Sequence, residues 1–123
     1  IIEKLRASGC KIALDDFGSG YSSFEYLDEL PLDKVKIDRS FIRKVRHSKT
    51  SRVIVAGIIG LCRELELRCV LEGVETEEEM ALLAPLHPDL IQGYLYGRPM
   101  SGQDAWQMIS NQRQLLIDEA RSA

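Results

Sequence analysis

At 123 residues, with 45% hydrophobic and 28% charged side chains, the chain has the size and balance of one folded domain, which excludes the disordered and fibrous classes. A formal charge of −3 without a basic stripe argues against long nucleic acid as a partner, and the longest apolar run, residues 53–62, holds two glycines and is far short of a membrane span. Cys10, Cys62 and Cys69 are odd in number and lack C-x-x-C spacing, so reduced thiols in a cytoplasmic protein are expected rather than a disulfide framework or a zinc site.

No signal peptide opens the chain; residues 1–6 read as the tail of a helix already under way, which predicts that an amino-terminal portion is absent. Residues 11–14 are a short strand candidate, entered through Gly9 and ended by Asp15 and Asp16. Gly18, Ser19 and Gly20 form a loop in which glycine tolerates positive φ. Ser22 with Glu25 reads as a capping box for a helix through Leu30, which Pro31 stops. Residues 34–38 alternate polar and apolar side chains as a second strand, with Lys36 and Asp38 on one face and Val35 and Ile37 on the other.

Residues 52–66 are a helix whose apolar positions run nearly all the way round, so heavy burial is expected. Residues 68–71 are the third strand, ending in Glu72; Thr76 and Glu79 form a capping box for a helix through Ala84. Pro85 and Pro88 precede a short fourth strand at residues 90–92, and Ser101 with Asp104 starts a last helix carrying Trp106, Ile109, Arg113 and Leu116 on neighbouring turns. This regular alternation predicts an α/β fold of about four parallel β/α units, either a small open sheet or half of an eight-unit barrel.

Charged and polar residues gather at the carboxyl ends of all four strands: Asp15 and Asp16, Lys36 and Asp38, Glu72 and Glu75, and Gln92. In parallel α/β folds that end holds ligands and catalytic groups. The adjacent carboxylates of Asp15 and Asp16 repel unless positive charge sits beside them, and oxygen ligands suit Mg²⁺ or Mn²⁺. Neighbouring strand residues point to opposite faces, so both reach one site only if the chain bends there; Gly18 and Gly20 are the expected bend. Lys36, beside the acids, could polarise a water molecule or simply balance their charge. Glu77, Glu78 and Glu79 read as first-turn acids favoured by the helix dipole and receive no chemical role. The triplet of Asp16, Phe17 and Gly18 also spells the metal-binding motif of protein kinases, but neither a catalytic-loop H-R-D nor a glycine-rich nucleotide loop accompanies it.

The runs DDFGSGYSS at residues 15–23, VKIDRSF at 35–41, EGVET at 72–76 and QGYLYGRP at 92–99 resemble EAL-domain proteins, in that family's order and spacing. The resemblance implies the carboxyl-terminal half of a modified TIM-type barrel that hydrolyses cyclic di-GMP to linear pGpG with two Mg²⁺ or Mn²⁺ ions. It implies that Asp15 bridges the metals, that Asp16 and Glu72 serve the second metal or its water, and that Lys36 contacts the attacking water. Gln92, with Asp38, falls in the water network or against the substrate. Residues 17–23, with Phe17, Gly18 and Gly20, resemble a loop that couples dimerisation to metal binding, and Glu75 is structural. The family's E-x-L glutamate, and the asparagine and further glutamate of its first metal site, are not in this chain, and Leu71 stands where the family commonly has alanine. The expectation is therefore part of a phosphodiesterase, with residues 1–123 alone inactive and self-associating through open sheet edges. The alternatives are a non-catalytic cyclic di-GMP-binding or dimerisation module, and an unrelated small α/β protein.

Overall fold

The computed structural model describes residues 1–19 and 24–122. The elements run, in chain order, α1 (Ile2–Ala7), β1 (Ala13–Phe17), α2 (Glu25–Glu29), β2 (Lys34–Ile37), α3 (Arg39–Ile42), α4 (Lys49–Glu64), β3 (Arg68–Glu72), α5 (Glu77–Leu83), a 3₁₀ turn (Ala84–Leu86), β4 (Leu90–Gln92) and α6 (Gly102–Ser122). The strands form one sheet in the order β1-β2-β3-β4, and each adjacent pair is parallel. The four-unit parallel reading is thus met, with boundaries that differ for identifiable reasons.

The first strand does not stop before Asp15 but continues through Asp15 and Asp16 to Phe17. Helix α4 starts at Lys49 rather than at residue 52 because Ser48 is its cap, accepting the Ser51 amide at 3.0 Å. Helix α5 has the expected capping box, with Thr76 and Glu79 bonded reciprocally; Pro85 then tightens the chain into the 3₁₀ turn at Leu83 instead of Ala84. Ser101 caps α6 as expected, bonding the Asp104 amide at 3.1 Å. Short α3 is absent from the sequence pattern because its cap directly follows β2 and reads as the strand's last residue: the Asp38 carboxylate accepts the Ser40 amide at 2.8 Å. Ser22 and Gly20, and with them the capping-box reading before α2, lie outside the described residues.

The core lies between the sheet and the helices on one face. Val35 and Ile37 of β2, Cys69 and Leu71 of β3, Ile42 and Val45 after β2, and Val55, Ile59 and Cys62 of α4 are all buried, joined by Phe17, Val74 and Leu83. The expectation that α4 would be buried all round is corrected. Only the stripe of Ser51, Val55, Ile58, Ile59 and Cys62 is buried, while Val53 stays 61% exposed. A helix against one sheet face buries one stripe, and α4 has no second layer over its other side. Helix α6 buries none of its residues, and Trp106, Ile109 and Leu116 are exposed. No helix among the described residues is long and apolar enough to cross a membrane.

At the amino ends of the strands the same device occurs twice. Asp33, just before β2, accepts the Ile12 amide at 2.8 Å, and Asp89, just before β4, accepts the Cys69 amide at 2.7 Å. Each aspartate thereby fixes the start of the preceding strand against its own. Asp33 also pairs with Lys11 at 3.0 Å and Arg6 at 4.0 Å. The Ile12 amide first, and then Lys11, hold its carboxyl below the ordinary carboxylate value. A lowered folded-state pKa adds stability that is present above the unfolded value and lost as pH falls through the folded one. We expect Asp33→Ala to lower the thermal midpoint at neutral pH, with the deficit shrinking in acid; circular dichroism melts across pH read both, and a deficit that grows in acid contradicts the assignment.

Candidate active site

The acid pair at the end of β1 occupies a β-bulge. Leu14 pairs with Val35 and Phe17 with Ile37, so Asp15 and Asp16 together face the single residue Lys36. Such a two-against-one arrangement bends the strand and re-aims its side chains. The backbone turns at Asp16, whose φ is +52°, a left-handed conformation that aspartate tolerates better than most residues. Asp15 Oδ1 accepts the Asp16 amide at 3.0 Å, and the Asp16 carbonyl accepts both the Ser19 amide at 3.1 Å and its hydroxyl at 2.7 Å. The bend therefore begins in the acid itself, two residues before Gly18, which continues it with positive φ as expected. Gly18 follows at φ +94° against the ring of Phe41, and Phe17 is buried as part of the core, edge-on to Phe24 with ring centroids 5.1 Å apart.

The bulge brings together what strand alternation alone would separate. One carboxylate oxygen from each of Asp15, Asp16 and Glu72 lies within 4.8 Å of the others. Lys36 inserts its ammonium among them, 3.1 Å from Asp15 Oδ1 and 2.5 Å from Glu72 Oε1. The Lys36 hydrogen bond holds the Asp15 carboxyl below its ordinary value, and Glu72, then Asp15, raise the Lys36 ammonium above its own against the opposing effect of burial. Three carboxylates with one ammonium bonded to two of them keep an excess of negative charge, and an all-oxygen donor set of this kind suits a hard divalent cation.

Around this cluster lies a cleft of about 470 Å³, lined by Asp16, Asp38, Glu72, Glu75 and Gln92 among the expected residues. Gln92 stands in register with Glu72 on the neighbouring strand. Asp38 is a helix cap as well as a lining residue; the Ser40 side chain and amide hold its carboxyl low. Glu75 reaches Arg43 at 3.4 Å. Arg39, Arg43 and Tyr94 also line the cleft, and the pattern of acids at strand ends does not single them out. Arg39 opens and Arg43 caps the carboxyl end of α3, the helix that leaves no periodic signal, whereas Tyr94 sits in the QGY run, two residues from Gln92.

The wall behind Glu72 and Gln92 is an interlock of two backbones. The Gln92 carbonyl accepts the Gly73 amide at 2.8 Å and the Val74 amide at 3.3 Å, and the Val74 carbonyl accepts the Leu95 amide at 3.2 Å. A Cβ at Gly93 would collide with the Val74 backbone. Only glycine permits this approach, so the interlock fixes the spacing between the two strand ends.

The profile of the EAL domain family matches residues 1–99, and with them every cleft-lining residue named above. The chain belongs to the EAL domain family. It is 46% identical over 100 residues to the cyclic di-GMP phosphodiesterase NbdA of Pseudomonas aeruginosa, covering 81% of this chain and 13% of NbdA. The solved phosphodiesterase domain of MucR, in complex with cyclic di-GMP, superposes with a TM-score of 0.78 at 45% identity, covering 85% of this chain and 42% of that one. The manganese and cyclic di-GMP complex of BlrP1 from Klebsiella pneumoniae superposes with a TM-score of 0.75 at 41% identity, covering 80% of this chain and 25% of that one. The chain thus spans a small part of its curated relative, and its four β/α units correspond to part of the barrel of its structural neighbours.

In this EAL segment the interlock has a measurable consequence. Gly93→Ala is expected to destabilise the fold by roughly 1–3 kcal/mol, the usual range for forced overpacking, and to move the Gln92 and Glu72 amide resonances together. Thermal melts and amide spectra check it; an unperturbed Glu72 would show that the two strand ends are not coupled.

Proposed function

We propose that residues 1–123 supply one cation's ligands and the water-orienting lysine of a cyclic di-GMP phosphodiesterase, which opens the ring to linear pGpG with Mg²⁺ or Mn²⁺. The observation that carries this reading is the cluster of Asp15, Asp16 and Glu72 on Lys36, at the carboxyl ends of the strands. The names and complexes of relatives 41–46% identical support the substrate and the divalent cation. A cytoplasmic setting belongs to the same proposal.

Asp15, Asp16 and Glu72 fit a divalent cation by donor type and spacing. When bound, such cations neutralise charge on phosphate oxygens and make a water molecule more acidic. Lys36, held from two sides by Asp15 and Glu72, has three N–H donors and no acceptor. It therefore orients the attacking water and cannot remove its proton while charged. Gln92, in register with Glu72, extends the polar row toward water or substrate, and Asp38 fixes α3 at the cleft edge. Glu75 holds Arg43 and has a structural role. In the reaction the water oxygen bonds to phosphorus as the bond to the ribose 3′ oxygen breaks, and a proton passes to that oxygen.

Asp15→Asn, Asp16→Asn and Glu72→Gln are each expected to weaken Mn²⁺ binding to the chain by at least about tenfold, judged against what even outer-shell changes do at metal sites. Lys36→Met, which removes a competing cation, should leave Mn²⁺ binding intact or tighter. Isothermal titration reads all four, and wild-type affinity in the three acid variants defeats the proposal.

Among the described residues, Asp15, Asp16 and Glu72 form the one such cluster, so we expect residues 1–123 alone to turn over cyclic di-GMP little. The same residues grafted in place of the matching segment of the MucR domain should be active, and Lys36→Met in that chimera should lower kcat by about 10²–10⁴. The exposed strand edges of β1 and β4 and the exposed apolar residues of α6 support self-association of the isolated chain. A monomer by sedimentation velocity throughout the micromolar range, or brisk turnover by the chain alone, contradicts this part of the reading.

A further inference from the structure

The amino ends of the strands carry a second polar hollow, built from residues that the acid cluster does not use. A cavity of about 490 Å³ is lined by Arg6, Lys11, Lys34 and Arg68 against Asp33 and Glu66. Its spare positive charge reverses the sign of the active-site cleft, where Asp16, Asp38, Glu72 and Glu75 outnumber Arg39 and Arg43. A smaller cavity of about 230 Å³ shares Glu66, Leu67 and Arg68 with it and adds Arg63.

Holding strand register accounts for Asp33 and Asp89 but not for the cations. Asp33 already serves the Ile12 amide, Lys11 and Arg6, so it has little left for Lys34. Among the described residues neither Lys34 nor Arg68 has an ion-pair partner. Yet these two residues open β2 and β3 in register, which directs both side chains to one face of adjacent strands. Like charges so placed repel, and an anion between them removes the penalty. The backbone supplies a separate indication. Glu66 and His87, which line these cavities, hold left-handed φ values of +57° and +54°. Among the described residues the one other non-glycine in that region is Asp16, in the acid cluster. Backbone strain of this kind concentrates where ligands are held.

We propose that Lys34 and Arg68 form a binding site for a dianionic phosphate group, either the free ion or a phosphomonoester. Charge selects this class. Four cations against two carboxylates match a group carrying close to two negative charges at neutral pH, whereas a carboxylate or a phosphodiester carries one. The Arg68 guanidinium offers a planar fork to two phosphate oxygens, and the Lys34 ammonium a compact charge beside it. The site is independent of the phosphodiesterase reading, since none of Asp15, Asp16, Lys36 and Glu72 lines either cavity.

The test titrates residues 1–123 with inorganic phosphate in a mildly alkaline buffer containing a chelator, which keeps cation-held phosphate out of the acid cluster. Calorimetry should show saturable binding, and the Lys34 and Arg68 amide resonances should move with it. Lys34→Met and Arg68→Met should each weaken binding about 10- to 100-fold, the range for losing a charged hydrogen bond. Lys44→Met, at an exposed lysine outside both cavities, should leave it unchanged. Without phosphate, Lys34→Met should melt no lower than the wild type, because it relieves the repulsion. Phosphate should then raise the wild-type midpoint and not that of Lys34→Met. Phenyl phosphate binding as tightly as phosphate supports an esterified ligand, and binding of phosphate alone supports the free ion. Dimethyl phosphate, a monoanion, should bind at least about tenfold more weakly than the better of the two; equal binding overturns the dianion site. A chain that responds to phosphate no more than to sodium chloride of equal ionic strength, or that loses as much affinity in Lys44→Met as in Lys34→Met, has no such site.

Discussion

The site depends on one extra residue in β1. Two residues of that strand, Asp15 and Asp16, stand opposite one residue of β2, Lys36. Without the bulge, period-two alternation would send the two carboxylates to opposite faces, one toward the cleft and one into the helix layer. That second position would bury an unpaired charge against Val35, Ile37 and Phe17, a placement folded proteins avoid. The bulge also explains why Phe17 can be buried immediately after two acids: the added residue restores the inward phase that the acids interrupt. Site and core are thus joined by the same backbone irregularity, and a change that removed it would disturb both.

The two ends of the sheet do different work with the same residue type. At the amino ends, Asp33 and Asp89 each accept a backbone amide of the preceding strand, so their charge is spent locally on holding register. At the carboxyl ends, Asp15, Asp16 and Glu72 converge on one another, and Asp15 and Glu72 on Lys36 as well. Asp15 also accepts the Asp16 amide, but carboxylates that face each other keep further oxygens to offer a cation. The division matches the general separation in parallel α/β folds between a stabilising end and a chemical end.

Much of this was legible in the sequence, and the misses have identifiable causes. Hydrophobic period and caps located β2, β4, α5 and the start of α6, because each is determined by residues adjacent in the chain. The strand-end acids identified the right end of the sheet for the same reason. The bend expected at Gly18 is present, but it begins earlier, at Asp16, because an aspartate also adopts positive φ there, stabilised by Ser19 and by its neighbour's carboxylate. Helix α3, with Arg39 and Arg43, was missed because its cap is the last polar residue of a strand motif, already assigned to chemistry. The apolar positions of α4 suggest heavy burial, although they exceed what one sheet face can cover. For α4 the deciding partner is the single sheet face it covers. The bend at Asp16 and the start of α3 instead rest on short-range bonds made by side chains that the strand-end pattern assigns to chemistry.

Lysine, rather than arginine, at position 36 follows from the geometry of the cluster. Asp15 and Glu72 approach the ammonium from two neighbouring strands, β1 and β3, on either side of β2. A compact tetrahedral ammonium can bond both and keep a third donor in hand, since it carries three N–H bonds around one nitrogen. A guanidinium would present a planar fork suited to one carboxylate edge-on, and would fill the space between the acids. The row beneath supports this choice, because Lys36 lies in register with Val70 of β3, a short side chain that leaves room for the lysine stem to rise toward Glu72. The remaining donor is what separates a lysine that merely balances charge from one that can also hold a water molecule among the acids.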